Sequence, residues 1–176
     1  MILPDVNLLV YAVSGRSKQH EAARAWLNRI LNDREPVGWS WAAMLGFLRV
    51  STNSRVTSPP VEVTAASGAI RGWLARPNSR ILAPTPQHGE IVFGLLERAG
   101  TSGNLVADAH LAALSIEYDA EVHSADGDFG KFEGVRWRNP LEDLYGMACR
   151  LGGELWAGGV VPGGGAGGNC VAERGR

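Results

Sequence analysis

Apolar residues along the first 141 positions recur with two different spacings, and segments of the two kinds alternate. In "KQHEAARAWLNRILND", Ala22, Ala23, Trp26, Leu27, Ile30 and Leu31 fall at the three- and four-residue steps that line one face of a helix. The segment "SWAAMLGFLRVSTN" repeats the pattern, with Trp41, Met44, Leu45 and Leu48 as its apolar face. A third helix, "VEVTAASGAIRGWLARP", follows Pro59 and Pro60 and stops before Pro77, because a residue preceding proline avoids helical geometry. Thr85 and Pro86 form an N-cap and first-turn pair for "QHGEIVFGLLERA", which Gly100 closes. Asn104 caps "LVADAHLAALSIEYD", and a short helix over "VNLLVYAV" completes the set. Between these lie "MILPD", "RILAP", "EVHSA" and "VRWRNP", each short enough for a strand. Short strands alternating with longer helices predict an α/β fold, a parallel sheet with helices on both faces. In such sheets the reactive crevice lies beyond the carboxyl ends of the strands.

The pattern ends near residue 142. Eleven of the 23 glycines fall from Gly146 onward, in runs such as "GGVVPGGGAGGN". Glycine at that density raises the entropic cost of ordering and supplies no side chains to pack. Residues 1–141 therefore read as one domain. Residues 142–176 read as a Gly-rich tail expected to be poorly ordered, with a short helix around "EDLYGMACRLGGELW".

Lys+Arg 17 against Asp+Glu 18 excludes attachment to nucleic acid by bulk charge and leaves only local basic patches for that purpose. The two cysteines, Cys149 and Cys170, both lie in the tail, so no disulfide framework holds the domain. No stretch has the length of a membrane-spanning helix, and Pro4 and Asp5 interrupt the place where a signal peptide's apolar run would sit. The expectation is a soluble, cytoplasmic protein that does not enter a membrane.

Asp5 is the anomaly in this layout. It ends an apolar strand, where a carboxylate is costly to desolvate unless something cationic compensates it. Asp126 and Asp128 in "EVHSADGDF" also follow a strand, although Asp beside Gly is equally ordinary turn chemistry. Asp108 falls in the first turn or so of a helix, where the dipole alone would favour it. Should these addresses converge, the carboxylates would repel one another unless a divalent cation sat among them. Oxygen ligands without Cys or His suit Mg²⁺ or Mn²⁺. Such an ion can activate water against a phosphodiester, so the residues point to a metal-dependent phosphoryl or phosphodiester hydrolase.

Four blocks, "ILPDVNLLVYA", "GFLRVSTNSRV", "GNLVADAHLAAL" and "SADGDFGKFEGVRWRNPL", closely resemble the PIN-domain ribonucleases, in particular the VapC toxins of type II toxin–antitoxin modules of the mycobacterial sort. The resemblance runs from residue 1 to about 141, in order, and does not reach the tail. It implies a PIN-like three-layer α/β/α fold with a mainly parallel central sheet. It also implies a Mg²⁺-dependent endoribonuclease (Mn²⁺ serving as well) that cleaves a structured RNA such as a tRNA or ribosomal RNA. A cognate VapB antitoxin would hold it inactive, docking an apolar segment between the early helices and sending a basic side chain to the acids. A homodimer is implied as well. Carried over residue by residue, Asp5, Asp108 and Asp126 are the expected metal ligands, and Asp128 a further acid of the same catalytic site. Asn7 and Ser124 flank them and could orient ligands or merely support the fold. The family commonly carries a glutamate where this chain has Gly46, in "GFLR". That departure leaves open one ion or two, or a weakened enzyme that works as an RNA- or antitoxin-binding module.

Positive charge on the crevice rim is sought among Arg16, Lys18, Arg49, Arg55, Lys131, Arg136 and Arg138. Trp39, Trp41, Trp73 and Trp137 are candidates for stacking on bases, but Trp41 and Trp73 fall on core-like stripes and are assigned to packing. His20, His88, His110 and His123 have no metal-like spacing and stay outside the expected site. A haloacid-dehalogenase-type phosphatase would need a second aspartate where Asn7 stands, and "AGTSGN" lacks the glycine spacing of a dinucleotide site.

Overall fold

The computed structural model describes residues 1–100, 103 and 105–142. The expected helix within the tail lies outside the described residues, as does Asn104. Five parallel strands form one sheet in the order β3-β2-β1-β4-β5. They are β1 (Ile2–Pro4), β2 (Val37–Ser40), β3 (Ser79–Leu82), β4 (Glu121–His123) and β5 (Trp137–Arg138). The helices are α1 (Val6–Val13), α2 (His20–Asn32), α3 (Trp41–Ser51), α4 (Val63–Leu74), α5 (His88–Ala99) and α6 (Leu105–Glu117).

Strand alternation sends successive side chains to opposite faces. Ile2, Val37 and Trp39 join the core built with α1 to α4. Leu3, Leu82 and Val122 join a second core built with α5, α6 and the turn carrying Phe129 and Phe132. The result is a three-layer α/β/α sandwich. Its helices follow the expected spans closely, and Gly100 closes α5 in the left-handed conformation at φ 66°.

Three details differ from the sequence reading. Strand β2 went unrecognised because "VGWS" runs straight into α3 with no turn between them. All four of its residues are buried, and Gly38 is there because a Cβ would come within 2.6 Å of Leu82 Cδ1. Thr85 is not the cap of α5: the helix starts at His88, and the Thr85 hydroxyl donates to Glu117 instead. Trp41 and Leu45 are not core. Helix α3 buries Ala43, Met44 and Phe47, and Trp41 is 54% exposed.

Chain order sets where the chemistry sits. From β1 the chain moves outward to β2 and β3 and later returns to the other side of β1 with β4. The switch in direction therefore falls between β1 and β4, and a crevice opens beyond their carboxyl ends. Asp5 follows β1 there, and Ser124 to Asp128 follow β4.

Candidate active site

Asp5 is the N-cap of α1 and is 7% exposed. Its backbone N–H donates to the His123 carbonyl at 3.0 Å, extending the β1–β4 ladder by one residue. Its Oδ1 accepts the Val6 N–H at 2.6 Å, and its Oδ2 accepts both Asn7 Nδ2 and the Ser124 hydroxyl at 2.7 Å. Asn7 also donates to Ser124 Oγ and accepts the Ala125 N–H, while Ser124 Oγ accepts the Asp126 N–H. Asn7 and Ser124 thus stitch the end of β1 to the end of β4. Burial pushes the Asp5 carboxyl above its ordinary range, the hydrogen bonds from Ser124 and Val6 oppose that, and the charge of Asp126 adds to it.

Asp108 sits in the first turn of α6. Asp126 caps the short 3-10 turn Gly127–Lys131, accepting the Asp128 N–H at 3.0 Å. Among the described residues, Asp108, Asp126 and Asp128 form the one group whose ligand atoms all lie within 4.8 Å of one another. Asp128 joins the expected Asp108 and Asp126 in this mutual group, of which Asp5 is not a member. The charge of Asp5 still acts on Asp108, whose carboxyl is pushed up to about 6 by burial first, then by Asp5, Asp126 and Asp128. Four residues from opposite ends of the domain therefore share one electrostatic environment.

An all-oxygen donor set, crowded enough to hold a proton that a lone carboxylate would lose, suits a hard divalent cation. Asp108, Asp126 and Asp128 could hold it, with the charge of Asp5 acting on Asp108 beside them. Gly46 lies on α3 beside α1, and a Cβ there would come 3.1 Å from Val6 Cγ2, a tight approach.

The surrounding candidates separate cleanly. Lys131 Nζ lies 2.7 Å from Asp128 Oδ1. Arg136 is committed to Asp119, and Arg138 lies 3.9 Å from Glu121. Trp39 and Trp73 are buried and stacked on each other at 5.4 Å, and Trp137 Nε1 donates to the Ser124 carbonyl. Of these four tryptophans Trp41, assigned with Trp73 to packing, is the exposed one; it begins α3 directly after the carboxyl end of β2, on the crevice side of the sheet.

The histidines lie outside the acids. His123, on β4, accepts Trp26 Nε1–H on its Nδ1 at 3.1 Å, and burial first, then Arg138 and Arg29, lowers it to about 3, so it is neutral. His88 and His110 form a half-buried polar chain with Glu117 that spacing along the sequence did not reveal. His88 Nδ1 lies 2.8 Å from Glu117 Oε2, and its Nε2 lies 2.8 Å from His110 Nδ1.

A family description of the PIN domain matches residues 2–135. The chain belongs to the PIN-domain family. Ribonuclease VapC33 of Mycobacterium tuberculosis (strain ATCC 25618 / H37Rv) is 43% identical over 143 residues, which are 81% of this chain and all of that one. Similarity therefore reaches the VapC group within the PIN-domain family. Two solved structures share the fold. The sarcin–ricin-loop-cleaving toxin VapC20 of Mycobacterium tuberculosis superposes with a TM-score of 0.57 at 19% identity, over 77% of this chain and 99% of that one. A chain of VapBC2 from Rickettsia felis, bound to a DNA fragment from its promoter, gives 0.58 at 17% identity, over 79% and 98%. Among the described residues, no helix is long and apolar enough to cross a membrane.

Proposed function

We propose that this PIN-domain protein is the toxin of a type II toxin–antitoxin module, an endoribonuclease that cuts structured RNA with Mg²⁺. The observation that carries the reading is the meeting of Asp108, Asp126 and Asp128, with Asp5 against them, at the β1–β4 switch point of a PIN domain. Asp108, Asp126 and Asp128 would hold the ion, with Asp5 as a further ligand from the end of β1. When bound, Mg²⁺ would activate water and neutralise charge on the phosphodiester. Asn7 and Ser124 keep Asp5 in one orientation, because both its oxygens are already engaged. Trp41 offers an exposed face on which an unstacked base could rest, the usual way single-stranded RNA loops are read.

The names of the relatives supply the substrate class. VapC33 is a ribonuclease and VapC20 cleaves the sarcin–ricin loop, so structured ribosomal RNA or tRNA is the substrate proposed here. A VapB-type antitoxin is the proposed partner, as in the VapBC2 complex. A groove of about 380 Å³ lined by Val6, Val10, Tyr11, Val50 and Val56 adjoins Asn7, one hydrogen bond from Asp5. An apolar peptide segment seated there could carry a cation to the acids. Phe93 on α5 and Val106 on α6 leave apolar surface exposed that a second copy of the chain could cover. An RNA substrate and an antitoxin partner support a reaction in the cytoplasm.

The decisive experiment incubates the purified protein with total RNA and Mg²⁺, beside a chelated sample and an Asp5→Asn variant. Discrete fragments from the first sample only are the expected result. Equal patterns from all three would overturn the proposal. Gly46, which withholds one carboxylate from the site, favours a second reading as a binding module; RNA retained without cleavage in a gel-shift assay would select it.

A further inference from the structure

Lys131 ends the 3-10 turn that begins just after Asp126. Residues three apart eclipse one another in such a turn, and this seats the Lys131 ammonium on Asp128 at 2.7 Å. Its charge also acts on Asp126 and on Asp108. The side chain is half exposed, as is that of Asp128 in part. An exposed pair of this kind contributes little to stability. Its consequence lies in the field it sets at the carboxylate cluster.

The charges of the site make that field matter. Asp5, Asp108, Asp126 and Asp128 are four carboxylates, and Gly46 adds none. One divalent ion and one ammonium bring three positive charges to them. The ammonium already holds Asp128 Oδ1, an oxygen for which a second divalent ion beside Asp128 would compete.

We propose that Lys131 is the second cation of this centre. The substrate-free protein takes one divalent ion. The exposed ammonium supplies the positive charge that a second ion would otherwise bring to the phosphodiester. This rests on the reading of the cluster as a divalent-cation site.

The test titrates Mn²⁺ into the metal-free, RNA-free full chain, read by electron paramagnetic resonance of the unbound ion. Wild type is expected to take one ion. Lys131→Gln is expected to bind its first ion about tenfold more tightly, which is about what one unit charge a few ångströms away is worth in a well-solvated site. It should also take a second, weaker ion, whereas Lys131→Arg keeps the stoichiometry at one. RNA cleavage by Lys131→Gln should fall when one ion is bound and recover as the second place fills. A Lys131→Gln titration that superposes on wild type, or a wild type that already takes two ions, overturns the role of Lys131 and leaves the metal centre standing. A wild type that binds no Mn²⁺ overturns the metal centre itself, and the role of Lys131 with it.

Discussion

Asp108 pays for the site in stability. Its carboxyl titrates near 6, against an ordinary 3.8, because burial and then three neighbouring carboxylates disfavour its charge. An acid raised in the folded state destabilises the fold progressively as pH climbs from its unfolded value to its folded one, and fully above that. At neutral pH the metal-free protein carries the whole penalty. Asp108→Asn is therefore expected to raise the melting temperature of the metal-free protein at neutral pH, to lose that advantage below about pH 4, and to abolish RNA cleavage. Thermal melts across this range check the sign. Two tryptophans make the opposite contrast. Trp39→Ala removes a buried ring and should cost about 3–5 kcal/mol in urea unfolding. Trp41→Ala should stay within about 0.5 kcal/mol of wild type and weaken RNA binding instead. Sequence periodicity put both Trp41 and Leu45 on the apolar face of α3. The stripe is real, but α1 and α4 cover only the side bearing Met44 and Phe47.

At the scale of elements, α5 is the lightly held member of the fold. Of its residues only Leu95 is buried, and it packs mainly against α6. The chain Glu117–His88–His110 fastens the two helices together, with Thr85 donating twice to Glu117. Burial alone would raise the Glu117 carboxyl, but hydrogen bonds from Thr85 and His88 outweigh it and hold the group below its ordinary value. That stabilisation is present above the unfolded value of 4.5 and is lost as pH falls through the folded one. His88→Ala leaves the Glu117 side chain, 2% exposed, without one partner and should cost about 1–3 kcal/mol. Hydrogen exchange should then speed up over 88–99 while the amides of β1 and β4 stay protected. This latch could not be read from the sequence, since its members are 22 and 29 residues apart and have no shared period. Strand β2 escaped for a different reason: it runs without a break into α3, so no turn residue separates strand from helix.

For the whole molecule, the reading of residues 1–141 as one domain makes a direct prediction. Leu141 is buried in the core formed with α1 to α4, so a chain ending at Glu142 keeps every described core side chain. It is expected to melt at the temperature of the full chain and to cut the same RNA, with differential scanning calorimetry and a cleavage assay as the checks. A chain ending before Leu141 should melt lower, because it leaves a cavity in that core.

The sequence by itself determined the layering and the chemistry on offer. Helical and strand-like spacings alternate strongly enough to demand a parallel sheet between helices. An aspartate at the end of an apolar strand stands out in the sequence, although the fold shows that it also caps α1, and ordered motifs resemble the PIN domain. These are local properties, written in the spacing and type of neighbouring residues. Tertiary structure alone decided which acids come together, and it brought Asp128 into a close group with Asp108 and Asp126. It also turned Trp41 outward, and it set Lys131 among the carboxylates while Arg136 and Arg138 went elsewhere. Such choices depend on how β1 and β4 meet and on which helix faces their neighbours cover, and those distances exist only once the chain has folded.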